Sequence, residues 1–318
     1  MSLIRRAWIA AAALVAFGAA AEAQTYPAQS VRMVVPFGAG SITDNLARII
    51  ADKLGGTWKQ QVVVENRPGL PGTTSVAKAD KDGYTLMLTS NGHVIARSIS
   101  ASVAFDPVAD FAGVTRVVEV PFIMIVPPSL PAKSLKEFVD LAKKEPGKYN
   151  FSSAGVASTS FLMAEVLRQA AGMQLVHVPF KSVPEAVTAV LRGDVAFYMA
   201  PVPDSIEQSA AGKVRMLAVS SPQRHKSAPD LPTIAETVPT FKYETWFGIM
   251  APAGTPKAVV DKVSADVHAV LKMPDVVDRL TKIGSMPSPN TPAEFDALIK
   301  SDAAKYAEVL KAAGIAAK

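Results

Sequence analysis

Short apolar runs alternate along this chain with longer segments in which apolar residues recur at helical spacing. Val31–Phe37 is a Val-rich run that predicts a buried strand, Gly38–Gly40 interrupts it, and Thr43–Leu54 has the spacing of a helix. The alternation continues with predicted strands at Gln61–Glu65, Tyr84–Thr89, Phe122–Val126, Tyr149–Ser152, Leu175–Phe180, Val195–Met199, Met216–Ser220 and Trp246–Ala251, and with helices at Ser134–Lys144, Ser160–Ala171, Pro184–Arg192, Pro256–Leu271 and Pro292–Ala313. This order predicts an α/β protein with mostly parallel sheets flanked by helices.

Chain length and the same pattern predict two lobes. About 295 residues remain after residues 1–23, and this length favours two domains over one. Thr115–Pro121 and Thr240–Thr245 are the candidate crossings between them. We therefore expect a discontinuous lobe 1 of residues 24–120 with 246–318, and a continuous lobe 2 of residues 121–245.

The N-terminus has the pattern of an export signal. Arg5 and Arg6 precede an uncharged apolar stretch, and small residues follow at Ala21 and Ala23, the positions that a signal peptidase reads. The apolar stretch is shorter than the roughly 20 residues that span a bilayer. We predict that residues 1–23 are a cleaved signal peptide and that the mature chain is soluble outside the cytoplasm. An uncleaved anchor or a buried helix is the alternative.

Charge and composition exclude several classes of function. The full chain has 33 basic and 28 acidic residues; without Arg5, Arg6 and Glu22 the balance is 31 against 27, a net charge of +4. The basic residues are scattered, whereas nucleic-acid binding needs them clustered on one face, so we expect no nucleic-acid partner. The chain has no cysteine, which excludes disulfides, thiolate metal sites and cysteine nucleophiles.

The segment from Val31 to Asp44, VRMVVPFGAGSITD, carries the first candidate site. A buried strand that runs through a glycine-containing turn into a helix delivers backbone N–H groups and a helix N-terminus, an arrangement that favours an anion. Two other interpretations stay open. A dinucleotide fingerprint would need a third glycine where Thr43 stands, and its pyrophosphate would meet Asp44. A turn that merely needs small residues is the simpler interpretation.

Two further polar loops follow predicted strands. Ser152–Ser160 contains four serines and a threonine, more hydroxyl groups than helix capping alone requires, and Thr89–His93 follows the strand Tyr84–Thr89. Small polar loops at strand ends in both halves of the chain predict one shared binding cleft.

Signs of catalysis or of a metal site are weak. No Gly-x-Ser-x-Gly motif surrounds Ser41 or any other serine, and the four histidines are scattered without an i,i+4 pair. His177 lies in an apolar strand, which indicates a hydrogen-bonded core histidine. We therefore predict a binding protein without catalytic residues, metal or cofactor. An exported hydrolase stays as the less favoured alternative.

The sequence resembles the tripartite tricarboxylate transporter receptor family, extracytoplasmic solute receptors also called Bug proteins. The resemblance runs from about Tyr26 to the C-terminus, through segments that include YPAQSVRMVVPFGAGSITDNLAR, VVVENRPGLPG, DGYTLMLTSNG, FDPVADFAGVT, HVPFKS, AGKVRMLAVSS and GIMAPAGTP. It implies a periplasmic binding protein of the type II-like, two-lobed class. Such a protein closes over a small organic carboxylate and delivers it, as a monomer, to membrane permease subunits; an orphan sensor that presents its ligand to a signalling partner is the alternative.

The resemblance also implies which residues bind the ligand. The family's first turn corresponds to Gly38–Asp44 and its Ser-Ala-Gly loop to Ser153–Gly155, and the loop Ser90–Gly92 also matches. The expected ligand-binding residues are Phe37, Gly38, Ala39, Gly40, Ser41, Ile42, Thr43, Asp44, Ser90, Asn91, Ser153, Ala154, Gly155, Val156, Ser158, Thr159 and Ala200. The chain departs from the family at Ile42, Phe161 and Ala200. Ala200 lies where many members have an aspartate, so a plain or aromatic carboxylate is favoured over an amino acid.

The first loop yields a direct test. Replacing Thr43 and Asp44 together by alanine should weaken ligand binding and leave the fold intact, because both residues are expected to serve the ligand. Titration calorimetry measures the affinity, and circular dichroism checks the fold.

Overall fold

A computed structural model describes residues 26–100, 102–155, 158–243 and 245–315 of the chain. The predicted signal peptide lies outside the described residues, as does Val156 of the expected site. In the ranges that are described, no helix is both long and apolar enough to cross a membrane.

The two end portions of the chain build one large sheet with its covering helices. The elements before the first crossing are β1 (Val31–Val35), α1 (Ile42–Trp58), β2 (Val62–Asn66), α2 (Leu70–Ala77), β3 (Thr85–Ser90), a 3₁₀ turn (Asn91–Ile95), α3 (Ala96–Ile99) and β4 (Phe111–Glu119). The elements after the return are β10 (Trp246–Pro252), α9 (Lys257–Val270), α10 (Pro274–Lys282), β11 (Met286–Pro287) and α11 (Pro292–Ala312). Among the described residues, the strand order of this sheet is β11-β4-β10-β3-β1-β2.

The middle of the chain builds smaller sheets. Its elements are β5 (Phe122–Val126), α4 (Leu135–Lys144), β6 (Asn150–Ser153), α5 (Thr159–Ala170), β7 (Val176–Pro179), α6 (Val183–Arg192), β8 (Tyr198–Pro201), α7 (Val202–Ala210), β9 (Arg215–Val219) and α8 (Ile234–Thr237). β5 lies between β8 and β9, and β6 pairs with β7. A bridge between Phe151 and Phe197 connects the two sheets. The α/β, two-lobed class that the sequence predicts is confirmed.

The sheets are mixed, whereas the sequence pattern indicated mostly parallel ones. β1 runs parallel to β2 and β3, but β10 runs antiparallel to both β3 and β4. The crossings explain the difference: β4 leaves the large sheet at the edge where β1 and β3 end, and β10 enters at that same edge. A strand that enters there must run in the opposite direction. In the middle segment β5 is likewise antiparallel to β8 and β9, and β6–β7 is the parallel pair.

Serine and threonine caps fix where several helices begin. Ser41, Ser134, Ser158 and Ser182 each stand before the first helical residue, and each side chain accepts a hydrogen bond from the amide three positions later. Such a cap satisfies one of the amides that lack an intrahelical partner and stabilises a helix by about 1 kcal/mol. Part of the serine content of the candidate loops is therefore structural.

The central strand β10 is buried along its whole length under α11. The indole Nε1 of Trp246 donates a hydrogen bond to Asp302 at 2.8 Å, and the Trp246 ring meets Phe295 edge to face at 5.1 Å. Phe295 reaches down onto the backbone of β10, where a Cβ atom on Gly248 would lie 2.2 Å from the phenyl ring. The close approach of α11 to the sheet requires glycine at this position.

We expect Gly248→Ala to destabilise the protein by roughly 1–3 kcal/mol, because the added methyl group overpacks a closed core. Urea unfolding at pH 7 measures the change. The matched control is Gly56→Ala in α1, where a Cβ would meet nothing within 4 Å. That substitution should stabilise the protein by about 0.5–1 kcal/mol, since alanine favours helix more than glycine does. Equal effects of the two substitutions would contradict the packing argument.

Candidate functional site

Two of the three polar loops lie at one edge of the large sheet. β1 and β3 are parallel neighbours, with Val34 opposite Met87, so the loops that follow them emerge side by side. Trp246, the first residue of β10, pairs with Glu119, the last residue of β4. The chain therefore leaves the large sheet after β4 and returns to it at β10 on the edge where the loops after β1 and β3 emerge. The middle segment is attached at that edge.

The first loop, Phe37–Asp44, presents its backbone to solvent. Gly38, Ala39 and Gly40 are exposed, and Gly40 has φ of +79°, a left-handed conformation that glycine adopts without strain. Ser41 caps α1 by accepting from the amide of Asp44. The amides of Ile42 and Thr43, the first two of the helix, have no intrahelical acceptor, so they are suited to an anion at the end of β1.

Asp44 holds the first loop in place. Its carboxylate is 2% exposed and accepts hydrogen bonds from the Gly40 amide at 2.8 Å, the Asn66 side chain at 3.0 Å and Arg48 Nε at 3.1 Å. Burial acts to raise the pKa of Asp44, but the hydrogen bonds from Arg48, Gly40 and Asn66 outweigh it and hold the pKa below its usual value. The expectation that Asp44 can be replaced without effect on the fold is therefore revised.

The second polar loop, Ser152–Ser160, is called the serine loop below, and most of its hydrogen bonds are made within the loop. Ser158 caps α5, donates to the Gly155 carbonyl at 2.6 Å and lies 3.0 Å from the hydroxyl of Ser160. The Ala154 amide donates to Ser160 Oγ at 3.4 Å, and Gly155, with φ of +101°, makes the turn. These contacts give the loop one shape, with Ser158 and Thr159 only partly buried.

His177 of β7 contacts the serine loop through Ser153. Its Nε2 lies 2.7 Å from the hydroxyl of Ser153, and its ring stacks on Phe151 at 5.0 Å and meets Phe161 at 4.6 Å. Burial lowers the pKa of His177 to about 4, so the ring is neutral at pH 7. The predicted hydrogen bond of His177 is confirmed, but its place in the core is not, because His177 is only half-buried in the short strand β7.

The structure brings the serine loop and the loop after β3 together. The hydroxyl of Thr159 donates to the Asn91 side-chain oxygen at 3.2 Å, and the Asn91 amide donates to the hydroxyl of Tyr243 at 2.7 Å. Tyr243 is not among the residues predicted from the sequence. It belongs to the predicted crossing Thr240–Thr245, and that position is the signal that could have indicated its role.

The remaining expected residues have less prominent positions. Phe37 is half-buried and its carbonyl accepts from Asn66 at 3.2 Å; Ser90 ends β3 opposite Phe247. Ala200 is fully buried in β8, opposite Ile123 of β5. Its methyl group therefore adds no polar contact to a cleft.

The electrostatics of the site depend on backbone groups. No lysine or arginine occurs within Gly38–Asp44 or Ser152–Ser160. Arg48, close to the first loop, donates to Asp44 and to Asn66. Among the residues that the structure describes, no group of three His, Asp or Glu side chains could hold a metal ion. Amide dipoles and hydroxyl groups are thus the donors in the loops.

Comparisons with known proteins agree with this arrangement. The family model described as tripartite tricarboxylate transporter family receptor matches residues 46–315. The Bug protein BugT of Bordetella pertussis is 32% identical over 298 residues, 92% of this chain and 91% of that protein. The structure of Rpa4515 from R. palustris with adipate has a TM-score of 0.80 at 32% identity, covering 92% of this chain and 100% of that one. MatC from Rhodopseudomonas palustris with bound malate has a TM-score of 0.76 at 30% identity, with coverages of 90% and 100%.

Replacing Asp44 by asparagine should reduce the free energy of unfolding at pH 7 by roughly 2–3 kcal/mol, since an amide cannot accept from all three donors. The depressed pKa of Asp44 means that its contribution is present above about pH 4 and is lost as the pH falls through the folded-state value. Urea unfolding between pH 7 and pH 3 should therefore show a smaller loss of stability for the variant than for the unmodified protein.

The control for this prediction is Asp140→Asn. Asp140 is half-exposed and pairs with Lys136 on the surface, where ion pairs contribute about 0–1 kcal/mol. A loss of stability as large for Asp140→Asn as for Asp44→Asn would contradict the role assigned to Asp44.

Proposed function

The chain belongs to the tripartite tricarboxylate transporter receptor family, a family of periplasmic solute-binding proteins, and we propose that it captures a small organic carboxylate by closure of its two lobes. It then delivers the ligand, as a monomer, to the membrane permease subunits of a transporter of this type. The proposed lobes are residues 24–120 with 246–318, and residues 121–245. The proposed location is the periplasm, reached through cleavage of residues 1–23.

The observation that carries the proposal is the meeting of loops from different sheets. The loop after β3 belongs to the large sheet and the loop before α5 to the smaller ones, and Asn91 and Thr159 join them by a hydrogen bond of 3.2 Å. The first loop emerges beside the loop after β3. Ligand pockets commonly form where lobes meet at strand ends, because small changes in lobe orientation enclose the ligand there.

A carboxylate suits the donors that these loops offer. The exposed backbone at Gly38 and Ala39 and the first two amides of α1 provide partial positive charge. The hydroxyls of Ser158 and Thr159 already donate to the Gly155 carbonyl and to Asn91 Oδ1, so they shape the loop and leave the binding of a carboxylate mainly to backbone amides. The two relatives whose structures hold adipate and malate bind dicarboxylates. The buried methyl group of Ala200 supplies no acceptor for an amino group, which favours a plain or aromatic acid over an amino acid.

The alternative of an exported hydrolase has one observation to consider, the 2.7 Å contact between Ser153 and His177. Ser153 is fully buried, so its hydroxyl is out of reach of a substrate. A histidine with a pKa of about 4 is also a poor general base at neutral pH. The pair is better suited to shaping the serine loop. The alternative of a sensor differs from a transport receptor only in its membrane partner.

A thermal-shift screen tests the ligand class. The mature protein is melted with C4–C6 dicarboxylates, aromatic carboxylates, amino acids, neutral sugars and simple salts. A carboxylate at 100 times its Kd should stabilise the folded state by about 2.7 kcal/mol and raise the Tm by several degrees. If sugars or cations shift the Tm while no carboxylate does, the proposed ligand class is wrong.

Removal of one backbone donor tests the first loop. Ile42 is the first residue of α1, where proline is tolerated, and the preceding Ser41 has the extended conformation (φ −66°, ψ 160°) that a following proline requires. Ile42→Pro deletes a single amide hydrogen and should weaken binding of the selected carboxylate by roughly 10–100-fold, the cost of one hydrogen bond to a charged group. Titration calorimetry measures the affinity.

Two controls accompany this substitution. Ile42→Ala removes the side chain but keeps the amide, and Lys257→Pro places proline at the first position of α9, on the exposed surface. Both should bind the carboxylate within a few-fold of the unmodified protein. A loss of affinity in Ile42→Ala as large as that in Ile42→Pro would assign the effect to the side chain.

A further inference from the structure

We infer that Tyr243 is a positioning residue, which locks the serine loop of the middle segment to the loop after β3 and thereby sets the affinity of the site. Its hydroxyl closes a ring of three hydrogen bonds. Asn91 Nδ2 donates to Tyr243 Oη at 2.7 Å, Tyr243 Oη donates to the Thr159 carbonyl at 3.4 Å, and Thr159 Oγ1 donates to Asn91 Oδ1 at 3.2 Å. Each of the three residues is both donor and acceptor in the ring.

The ring lies in a dry environment, which strengthens its hydrogen bonds. Asn91 is fully buried and Tyr243 is 5% exposed. Burial raises the pKa of Tyr243, so its hydroxyl keeps its proton and stays a donor throughout the physiological range. Breaking a hydrogen bond of this ring would leave a buried polar group without that bond and without water, which is unfavourable, so the ring resists opening.

The tyrosine ring is itself held by the C-terminal helix. Tyr243 packs against Tyr306 of α11 with ring centroids 5.5 Å apart. The far end of α5 is anchored to the same helix, because Gln169 Nε2 donates to the Val309 carbonyl at 2.7 Å. α5 is thus attached at both ends to elements of the large sheet, although its sequence lies in the middle segment.

Because α5 is attached at both ends, the hydrogen bonds of Tyr243 determine where the first turn of α5 lies. The Ser158–Ser160 turn at the start of α5 is fixed relative to the loop after β3 before any ligand arrives, so this half of the cleft is pre-organised. When the donors of a site are already in place, less conformational entropy is lost on ligand binding, and the affinity is higher.

The test compares Tyr243→Phe with the unmodified protein in two measurements. Without ligand, hydrogen exchange of the amides at the start of α5 should accelerate by about tenfold, because the turn loses its lock. With the carboxylate selected by the screen, whose use rests on the proposed function, the affinity should fall by about 5–10-fold. The tyrosine ring contact is kept in phenylalanine, so the loss reports on the hydroxyl alone.

Matched variants complete the design. Thr159→Val removes the threonine donor from the ring and should act in the same direction, and the double variant should show less than the sum of the two effects. If Tyr243→Phe fails to fold, hydrogen exchange in Thr159→Val without ligand decides, because that measurement does not depend on any contact of Thr159 with the ligand. Tyr149→Phe, which removes a hydroxyl that donates to Glu145 at 3.1 Å away from the loops, should leave exchange and affinity unchanged.

Unchanged exchange at the start of α5 in Tyr243→Phe would overturn the inference, and so would faster exchange with unchanged affinity. Failure of the unmodified protein to bind any carboxylate would overturn the proposed function instead. In that case the exchange measurement, which needs no ligand, still decides whether Tyr243 locks the two loops.

Discussion

The backbone leaves the large sheet after β4 and returns to it at β10, and the two crossings lie side by side. The Val120 amide donates to the Thr245 carbonyl at 3.2 Å, so the outgoing and returning chains are hydrogen-bonded where they pass between the sheets. This contact fixes the edge at which the middle segment is attached. The same edge holds the ends of β1 and β3, and the polar loops meet the middle segment for that reason.

Most elements could be predicted from the sequence because their signals are local. β5 lies where its apolar run predicts, and α6 begins one residue before the predicted Pro184–Arg192. α7 was not predicted, because its short, proline-containing sequence lacks a clear apolar period. β4 is not predicted as a strand, since alanine, glycine and arginine interrupt its apolar run, and its second half is indicated only as the crossing Thr115–Pro121. β8 begins three residues after, and ends two residues after, the predicted Val195–Met199.

The site could be predicted only in part, because some of its contacts join distant residues. The three loops follow strands and carry small polar residues, and these features are visible in the sequence. Tyr243 could not be found in this way: its partners Asn91 and Thr159 lie 152 and 84 positions away. The role of Asp44 also depends on its neighbours in the fold. Its carboxylate accepts hydrogen bonds from Asn66 and from the Gly40 amide, and these bonds hold the first loop in a shape that leaves other amides available to an anion.

The late position of β10 in the chain governs the order in which the protein can form. During synthesis, residues 122–219 emerge with all strands of the smaller sheets, whereas β3 and β4 wait for Trp246–Pro252 before the large sheet is continuous. Until then β3 is paired only with β1 and β4 lacks β10, so each of the two strands leaves an edge of backbone N–H and C=O groups unpaired. The large sheet thus stays divided until the central strand β10 has been made, and of the described strands only the edge strand β11 is added after it.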